Sequence, residues 1–440
     1  MKKKLISLLL CAALLFAVAS PAAARDYGCD VELTCNAVYL KNLDTGEVIL
    51  SKNADVQVHP ASTTKILSAA LALTLCDDPE NTMVTIADDI WAEFDGLNVS
   101  SAGLKGGEVV SLYDLICCMM LQSANEGASA VAEYFGWDSF IGMMNDKAAE
   151  LGCASTHFTS PHGVFVADHY TTASDMAKIT EWALTVPGFY EISQMAYYTK
   201  AATNLNEEVT LVTTNYLQNP NSSLYTSYVK GVKTGTLDEA GRFLVSTAQK
   251  DGMTYLLVLL GGPFESDTRW KSDGASSVFT ETRLLYDWAF ENLALTSVTD
   301  TDEVVAEIGL KHASKRDTLL LYPAEDLFTM FNKNTETEPA VTFETELPEF
   351  VKAPIAVGQE IGTAKVLLDG SYIGDVALIA REDIPLDRFV LLMDGIQTVL
   401  TSTAAKIIYI ILFFVVAFYL FYMLVVVPRA QKKRRRKKKR

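Results

Sequence analysis

Histidine is scarce in this 440-residue chain, with five copies, and the string H-E-x-x-H does not occur. His162 and the pair Asp168-His169 are the only places where metal-ligating side chains gather. A zinc-dependent hydrolase would lack its ligand set, and no metal or other cofactor is expected. The seven cysteines show no metal-type spacing either. Cys117 and Cys118 lie in the apolar run Leu112 to Leu121, while Cys76 and Cys153 close helix-like segments, so buried thiols are expected there. Cys29 and Cys35 are candidates for a small disulfide. Positive charge is the third shortage. Residues 25 to 405 carry 23 lysines and arginines against 54 acids, a balance of −31, which repels nucleic acid and other polyanions and excludes nucleic acid as a partner.

Cations are instead concentrated at the two ends. Lys2-Lys3-Lys4, an apolar run from Leu5 to about Val18 and then Ala22-Ala23-Ala24 have the order of a secretory signal peptide spanning 1–24. Cys11 lies inside it, preceded by Leu10 where a lipoprotein signal would carry a small residue, so no lipid anchor is expected there. At the far end, Ile407 to Val427 holds 21 residues without a charge, about 31 Å as a helix against a hydrocarbon core of about 30 Å. Arg429 and the run Lys432 to Arg440 supply ten positive charges behind it, and an excess of Lys and Arg marks the cytoplasmic side. The expected arrangement is a single-pass cell-membrane protein, its body outside the cytoplasm, its tail (428–440) inside, and membrane lipid around the span and beside the tail.

Between these ends the chain alternates turn signals with two kinds of periodicity. Ala37 to Leu43 and Glu47 to Ser51 alternate like two strands around Asp44-Thr45-Gly46. A helix is expected from about Ser62 to Leu75, and Ser111-x-x-Asp114 resembles a capping box opening a nearly all-apolar helix that ends at Ser123. Such a helix has no wet face and belongs at the buried centre of a helical subdomain. Further helices are expected near Glu126 to Phe135, Ser139 to Leu151 and Glu281 to Leu293. Tyr228 to Thr236, Gly241 to Gln249 and Met253 to Gly261 suggest three antiparallel strands, the last pair joined by Asp251-Gly252. The fold class is therefore α+β: an antiparallel sheet of about five strands with helices and a helical subdomain, over 25–297. Residues 298–386 change to short strands (Glu303 to Ile308, Leu319 to Leu321, Val341 to Glu344, Thr363 to Leu368, Val376 to Ala380), a small all-β domain without a catalytic cluster. A partly amphipathic linker (387–406) precedes the transmembrane helix (407–427).

Three short strings carry chemistry: Ser62-Thr63-Thr64-Lys65, Ser123-Ala124-Asn125 and Lys233-Thr234-Gly235. Singly each is common, because serine caps helices, asparagine sits in turns and lysine is solvated. Their order, on a helix start, a loop between helices and a strand, is that of a serine acyl-transfer site. Ser62 and Lys65 share a helix face at i and i+3. A serine hydroxyl needs a neighbouring base, and Lys65 is one only when neutral. That requires lowering a pKa from about 10.4 toward about 7, roughly 4 kcal/mol of differential stabilisation. Burial and a nearby positive charge both act in that direction, and Lys233 supplies the charge. Ser123 is expected to relay a proton between Lys65 and the leaving group, and Asn125 to hold the substrate's amide carbonyl. Thr234 and Thr236 would bind a carboxylate, with electrostatic attraction from Lys233 and close backbone approach at Gly235. The backbone N–H groups of Ser62 and Thr236 would form the oxyanion hole.

With these motifs in place the chain resembles the penicillin-binding D-alanyl-D-alanine carboxypeptidases of low molecular mass, over nearly the whole region between signal and span. The resemblance also rests on Pro60-Ala61-Ser62, Gly103-Leu104-Lys105-Gly106-Gly107-Glu108, Ser160-Pro161-His162-Gly163, His169-Tyr170-Thr171-Thr172-Ala173, Asp175-Met176-Ala177, Gly231-Val232, Ala240-Gly241 and, in the β domain, Ala353-Pro354-Ile355 with Gly358-Gln359 and Ile361-Gly362. It implies a penicillin-binding, β-lactamase-like fold. The implied enzyme is a serine peptidase that removes the terminal D-alanine from peptidoglycan stem pentapeptides through an acyl-enzyme, with β-lactam antibiotics as covalent inhibitors. Two departures stand out: Glu126 follows Asn125 where many relatives have Asp, and Pro263 follows Gly261-Gly262 where many have a basic or polar residue. The receiver of the terminal carboxylate is thereby left open, with Arg242 and Arg269 as candidates. Rival readings are a DD-endopeptidase acting on cross-links, a non-catalytic membrane penicillin sensor and a class A β-lactamase. The last would require a water-activating glutamate, and no E-x-x-L-N string lies between Asn125 and Lys233. His162 is expected to order a loop beside the cleft.

Overall fold

The computed structural model describes residues 25–164, 166–271, 274–335 and 340–429. The expected signal peptide and the Lys432 to Arg440 run lie outside these residues. Two compact units are present, one holding the described residues up to Thr296 with those of Phe328–Glu338, the other those of Ser297–Leu327 and Pro339–Arg440.

In the first unit the strand Met253–Gly262 shows why the sheet forms. Its run Leu256-Leu257-Val258-Leu259-Leu260 is apolar at every position, and successive strand residues point to opposite faces, so both faces need cover. Leu256, Val258 and Leu260 pack in one cluster with Ile66, Leu67 and Leu115 from the helical side. Leu257 and Leu259 pack in another with Leu285, Tyr286 and Ala289 of the helix Ser277–Asn292. Five strands result, in the order Val48–Lys52, Ala37–Asn42, Met253–Gly262, Gly241–Lys250, Val229–Leu237, and every pairing is antiparallel. Asp251 and Gly252 both have positive φ, as a two-residue hairpin turn of the Asp-Gly kind demands.

The apolar helix Leu112–Leu121 is buried at eight of its ten positions. Its N-cap forms between Ser111 and Asp114: the Asp114 N–H donates to Ser111 Oγ at 3.0 Å, and that hydroxyl donates to the Asp114 carboxylate at 2.9 Å. Helices Asn125–Phe135 and Trp137–Glu150 follow. The helix expected from Glu281 begins four residues earlier, at Ser277, because Val278 and Phe279 are buried against the sheet cluster. Among the elements not expected from the sequence are the helix Ala173–Thr185, capped by Thr172, and the hairpin Tyr197–Lys200 with Val209–Val212. All six cysteines among the described residues are free thiols, Cys29 and Cys35 included.

One strand leaves the linear order. Phe328–Asn332 pairs with Leu293–Ser297, and Glu47 receives the Thr329 hydroxyl at 2.5 Å and the Met330 N–H at 2.6 Å.

The second unit contains a six-stranded sheet in the order Val341–Glu346, Glu360–Leu368, Ser371–Ala380, Thr318–Pro323, Ala306–Lys311, Phe350–Lys352. Leu319, Leu321, Val366, Val376 and Leu378 form its core. The strand expected over Glu303 to Ile308 lies at Ala306–Lys311, where Ile308 and Leu310 are the buried positions. Asp387 caps a helix over Arg388–Thr401, accepting from the N–H groups of Phe389 and Val390, and a second helix runs over Thr403–Arg429. The latter is long and apolar enough to cross a membrane.

Candidate active site

Pro60, with its ring-fixed φ, leads into a tight turn over Ala61–Thr64 that continues as the helix Lys65–Leu75. Two hydroxyls of the turn hold its own backbone: Thr63 donates to Pro60 O at 2.6 Å and Thr64 to Ala61 O at 2.8 Å. Lys65 therefore stands one turn beyond Ser62, and its Nζ lies 3.1 Å from Ser62 Oγ.

Lys65 is fully buried. Its Nζ also donates to Asn125 Oδ1 and to the carbonyl of His162, each at 2.8 Å. Burial holds its pKa well below the usual lysine range, the positive charge of Lys233 adds to that, and Glu126 opposes it. Of the two causes expected from the sequence, burial is the larger and the Lys233 charge the smaller. Two fixed acceptors can occupy the two hydrogens of a neutral amine. The lone pair is then directed at the Ser62 hydroxyl.

Ser123 follows the end of the helix Leu112–Leu121 in a left-handed conformation, φ +60°. Such backbone costs a non-glycine residue about 1–3 kcal/mol. Its side chain lines the same cleft as Ser62. No hydrogen bond joins it to Lys65 among the described residues, so the expected relay is not preformed here. Asn125 is also engaged within the fold: its Oδ1 accepts from Lys65, and its Nδ2 donates one of its two hydrogens to Ser100 O at 3.0 Å.

The opposite wall is the strand Val229–Leu237. A register shift between Lys230 and Lys233 interrupts its ladder just ahead of the motif. Lys233 is buried and donates to Thr234 O at 2.9 Å; desolvation lowers its pKa to about 7. Thr234 Oγ1 lies 2.5 Å from Thr214 Oγ1. A Cβ on Gly235 would stand 3.1 Å from Phe243 Cβ and 3.4 Å from Ala61 Cβ, so glycine permits the strand to lie against the turn that holds Ser62. Ser62, Ser123, Thr234, Gly235 and Thr236 line one cleft of about 200 Å³, together with Ser100, Thr214, Tyr216, Arg242 and Ser276.

Several contributors carry no signal in the sequence. The His162 carbonyl acts through its backbone, while the His162 ring Nε2 meets Glu93 Oε2 at 3.1 Å, which fits its expected role in ordering a loop. Thr214 and Ser100 come from loops without a motif. His169 Nδ1 accepts from the Thr159 N–H at 3.1 Å, so its proton resides on Nε2, 2.9 Å from Thr64 Oγ1. Burial lowers its pKa to about 2, and as a neutral ring it supports the turn that holds Ser62. Glu126, the departure beside Asn125, is buried and accepts from Ser101 Oγ at 2.8 Å and the Ala102 N–H at 2.7 Å. It thus fixes the loop that contains Ser100. Arg269 is engaged by Asp267 and Glu281. Among the described residues no cluster of three or more His, Cys, Asp or Glu is arranged to hold a metal.

A family model described as D-alanyl-D-alanine carboxypeptidase matches residues 22–263, and one described as penicillin-binding protein 5, C-terminal domain, matches residues 295–386. The chain is 30% identical over 365 residues to D-alanyl-D-alanine carboxypeptidase DacC of Escherichia coli, covering 78% of this chain and 83% of that relative. It is 26% identical over 398 residues to D-alanyl-D-alanine carboxypeptidase DacF of Bacillus subtilis, covering 89% and 97%. Among solved structures, penicillin binding protein 5 from Haemophilus influenzae superposes with a TM-score of 0.61 at 25% identity, covering 81% of this chain and 99% of that one.

Proposed function

The chain belongs to the D-alanyl-D-alanine carboxypeptidase family, and from that premise we propose how its own residues perform the reaction. Ser62 Oγ attacks the carbonyl carbon of the penultimate D-alanine of a peptidoglycan stem peptide, and neutral Lys65 takes the hydroxyl proton. The oxyanion is received by the N–H groups of Ser62 and Thr236. Lys65 then returns the proton through Ser123 to the departing amine. The C–N bond breaks, free D-alanine leaves and an ester remains on Ser62. Water attacks that ester, releasing the shortened peptide and restoring the hydroxyl. A β-lactam forms the same ester while its ring opens, and it keeps its amine attached. Thr234, Thr236 and the charge of Lys233 attract the carboxylate end, with Gly235 giving room and Asn125 holding Lys65 in place.

The observation that carries this reading is Lys65: fully buried, 3.1 Å from Ser62 Oγ, and held from two other sides by acceptors. Labelled penicillin should attach to Ser62 and to no other residue, with the label absent from Ser62→Ala. Label mapped elsewhere, or undiminished in the variant, overturns it.

The apolar C-terminal helix is of the kind that anchors a protein in a membrane. We infer further that the catalytic unit faces outward and the basic tail inward, supported by the charge beyond the span. Protease added outside intact cells should spare the Lys432 to Arg440 tail; its removal would reverse the orientation.

A further inference from the structure

Glu126 stands in the first turn of the helix Asn125–Phe135 and has no solvent exposure. Its two carboxylate oxygens have different surroundings. Oε1 accepts from the Ser101 hydroxyl at 2.8 Å and from the N–H groups of Ala102 at 2.7 Å and Leu104 at 3.4 Å, which ties down the 101–104 loop. Oε2 is buried and has no hydrogen-bond partner among the described residues. Holding the loop uses one oxygen only. A buried carboxylate with its other oxygen bare needs positive charge nearby to offset its desolvation, and the helix N-terminus supplies only a partial charge.

Among the described residues of this unit, three lysines are buried: Lys65, Lys200 and Lys233. Lys200 is paired with Glu108 at 3.2 Å, and Lys233 donates to the Thr234 carbonyl. Lys65 binds only neutral groups: Ser62 Oγ, Asn125 Oδ1 and the His162 carbonyl. Asn125 immediately precedes Glu126, so the lysine without an anion and the carboxylate without a cation meet at the start of one helix. The other titratable groups around Lys65 are Lys233, His162 and His169; burial lowers the pKa of both histidines, so neither adds charge near neutral pH. Glu93 lies beyond them, bound to the His162 ring. On the helix Leu112–Leu121 the titratable neighbour of Glu126 is Cys118, which burial keeps as a thiol. Burial and then Lys233 hold the Lys65 pKa down, and Glu126 raises it.

We propose that Glu126 is the remote counter-anion of Lys65, a positioning residue that steadies the ammonium formed when Lys65 takes the Ser62 proton and that places the acid limit of acylation. This rests on the reading of Lys65 as the base. The three hydrogens of the ammonium match the three acceptors around Nζ, and none of those acceptors carries the compensating charge. Glu126 supplies it without bonding to Nζ. A carboxylate in direct contact would keep the lysine protonated. From a greater distance the anion favours the ammonium by less, so the neutral amine remains available for the Ser62 proton and the proton can pass on to the leaving group.

The test is the rate of acylation by saturating labelled penicillin against pH, for the full-length protein in detergent, with thermal unfolding read beside it. Glu126→Gln keeps an acceptor for the loop and removes the charge. Its acid limb should lie about one pH unit below that of wild type, and its plateau rate should fall about threefold, as expected of a weaker base. Glu126→Met, a neutral side chain of similar length, should move the limb the same way and guards against a failure of the first variant to fold, since a buried ion is often replaced by an apolar group without loss of stability. Ser101→Ala loosens the loop and keeps the charge, so its limb should stay at the wild-type pH. A limb left in place by the neutral variants, even with a lower rate or stability, would reduce Glu126 to a loop fastener and overturn the proposal. An equal shift in Ser101→Ala would overturn it too, by tracing the effect to the loop. The wild-type profile separates this from the catalytic reading. A rate that falls nowhere on the acid side would count against Lys65 as base and take the proposal with it, whereas a wild-type limb that the neutral variants do not move counts against Glu126 alone.

Discussion

In the proposed mechanism Lys65 decides whether Ser62 reacts. Its side chain is held by the Asn125 amide and the His162 carbonyl, and burial first, then Lys233, favours its neutral form. Because the pKa is lowered, the base is available above that lowered value and is lost as pH falls through it. Penicillin acylation should therefore decline on the acid side. Lys233, at about 7, carries its charge below that pH and loses it above, so KM for a carboxylate substrate should rise on the alkaline side. Lys65→Ala should slow acylation about 10³-fold, within the range for losing a positioned base. Lys65→Arg should not rescue it, because a guanidinium keeps its proton. Stopped-flow acylation against pH checks this; a rate that falls nowhere on the acid side of the profile would contradict it. The residues named by the three motifs were legible because their chemistry resides in side-chain type at short spacing. The His162 contribution was not, since a backbone carbonyl leaves no mark on residue identity.

The turn that holds Ser62, the proposed nucleophile, is an element gripped from two sides. Gly235 on the K-T-G strand approaches Ala61 from one direction. Gly163, at φ +77°, approaches from another, where a Cβ would stand 1.9 Å from Ala61 O and 2.6 Å from Thr64 Oγ1. Gly163→Ala should cost about 2 kcal/mol or more of stability from strain and overpacking, and it should lower acylation by displacing Ser62. Denaturant unfolding read beside penicillin labelling tests this; unchanged values for both would show the contact to be unimportant. Strong periodicity made the sheet and the buried helix Leu112–Leu121 readable in advance. The hairpin Tyr197–Lys200 with Val209–Val212 was hidden. Its strands are short, and part of its anchorage is the buried pair Lys200 with Glu108, 3.2 Å apart but separated by 92 positions in the chain.

At the scale of the molecule, every residue of the proposed machinery belongs to the first unit, while the apolar span belongs to the second. A chain ending at Asp387 also omits the exposed apolar side chains Phe389, Leu392 and Val399. It should be soluble, should detach from membranes and should keep its kcat/KM on a free pentapeptide; a large drop would give the C-terminal helices a part in turnover. Composition and hydropathy suggested the division into catalytic, β-rich and apolar segments. The return of Phe328–Asn332 to pair with Leu293–Ser297 escaped that reading, since local pattern marks a strand without naming its partner. The central claim is release of a terminal D-alanine through an ester on Ser62. Its most direct measurement is the mass analysis of products and protein after incubation with a stem pentapeptide ending in D-alanyl-D-alanine. Free D-alanine and tetrapeptide in equal amounts, an acyl adduct on the Ser62 peptide during turnover, and none of these with Ser62→Ala are the predicted result. An intact pentapeptide, or D-alanine released by Ser62→Ala at the wild-type rate, would contradict it.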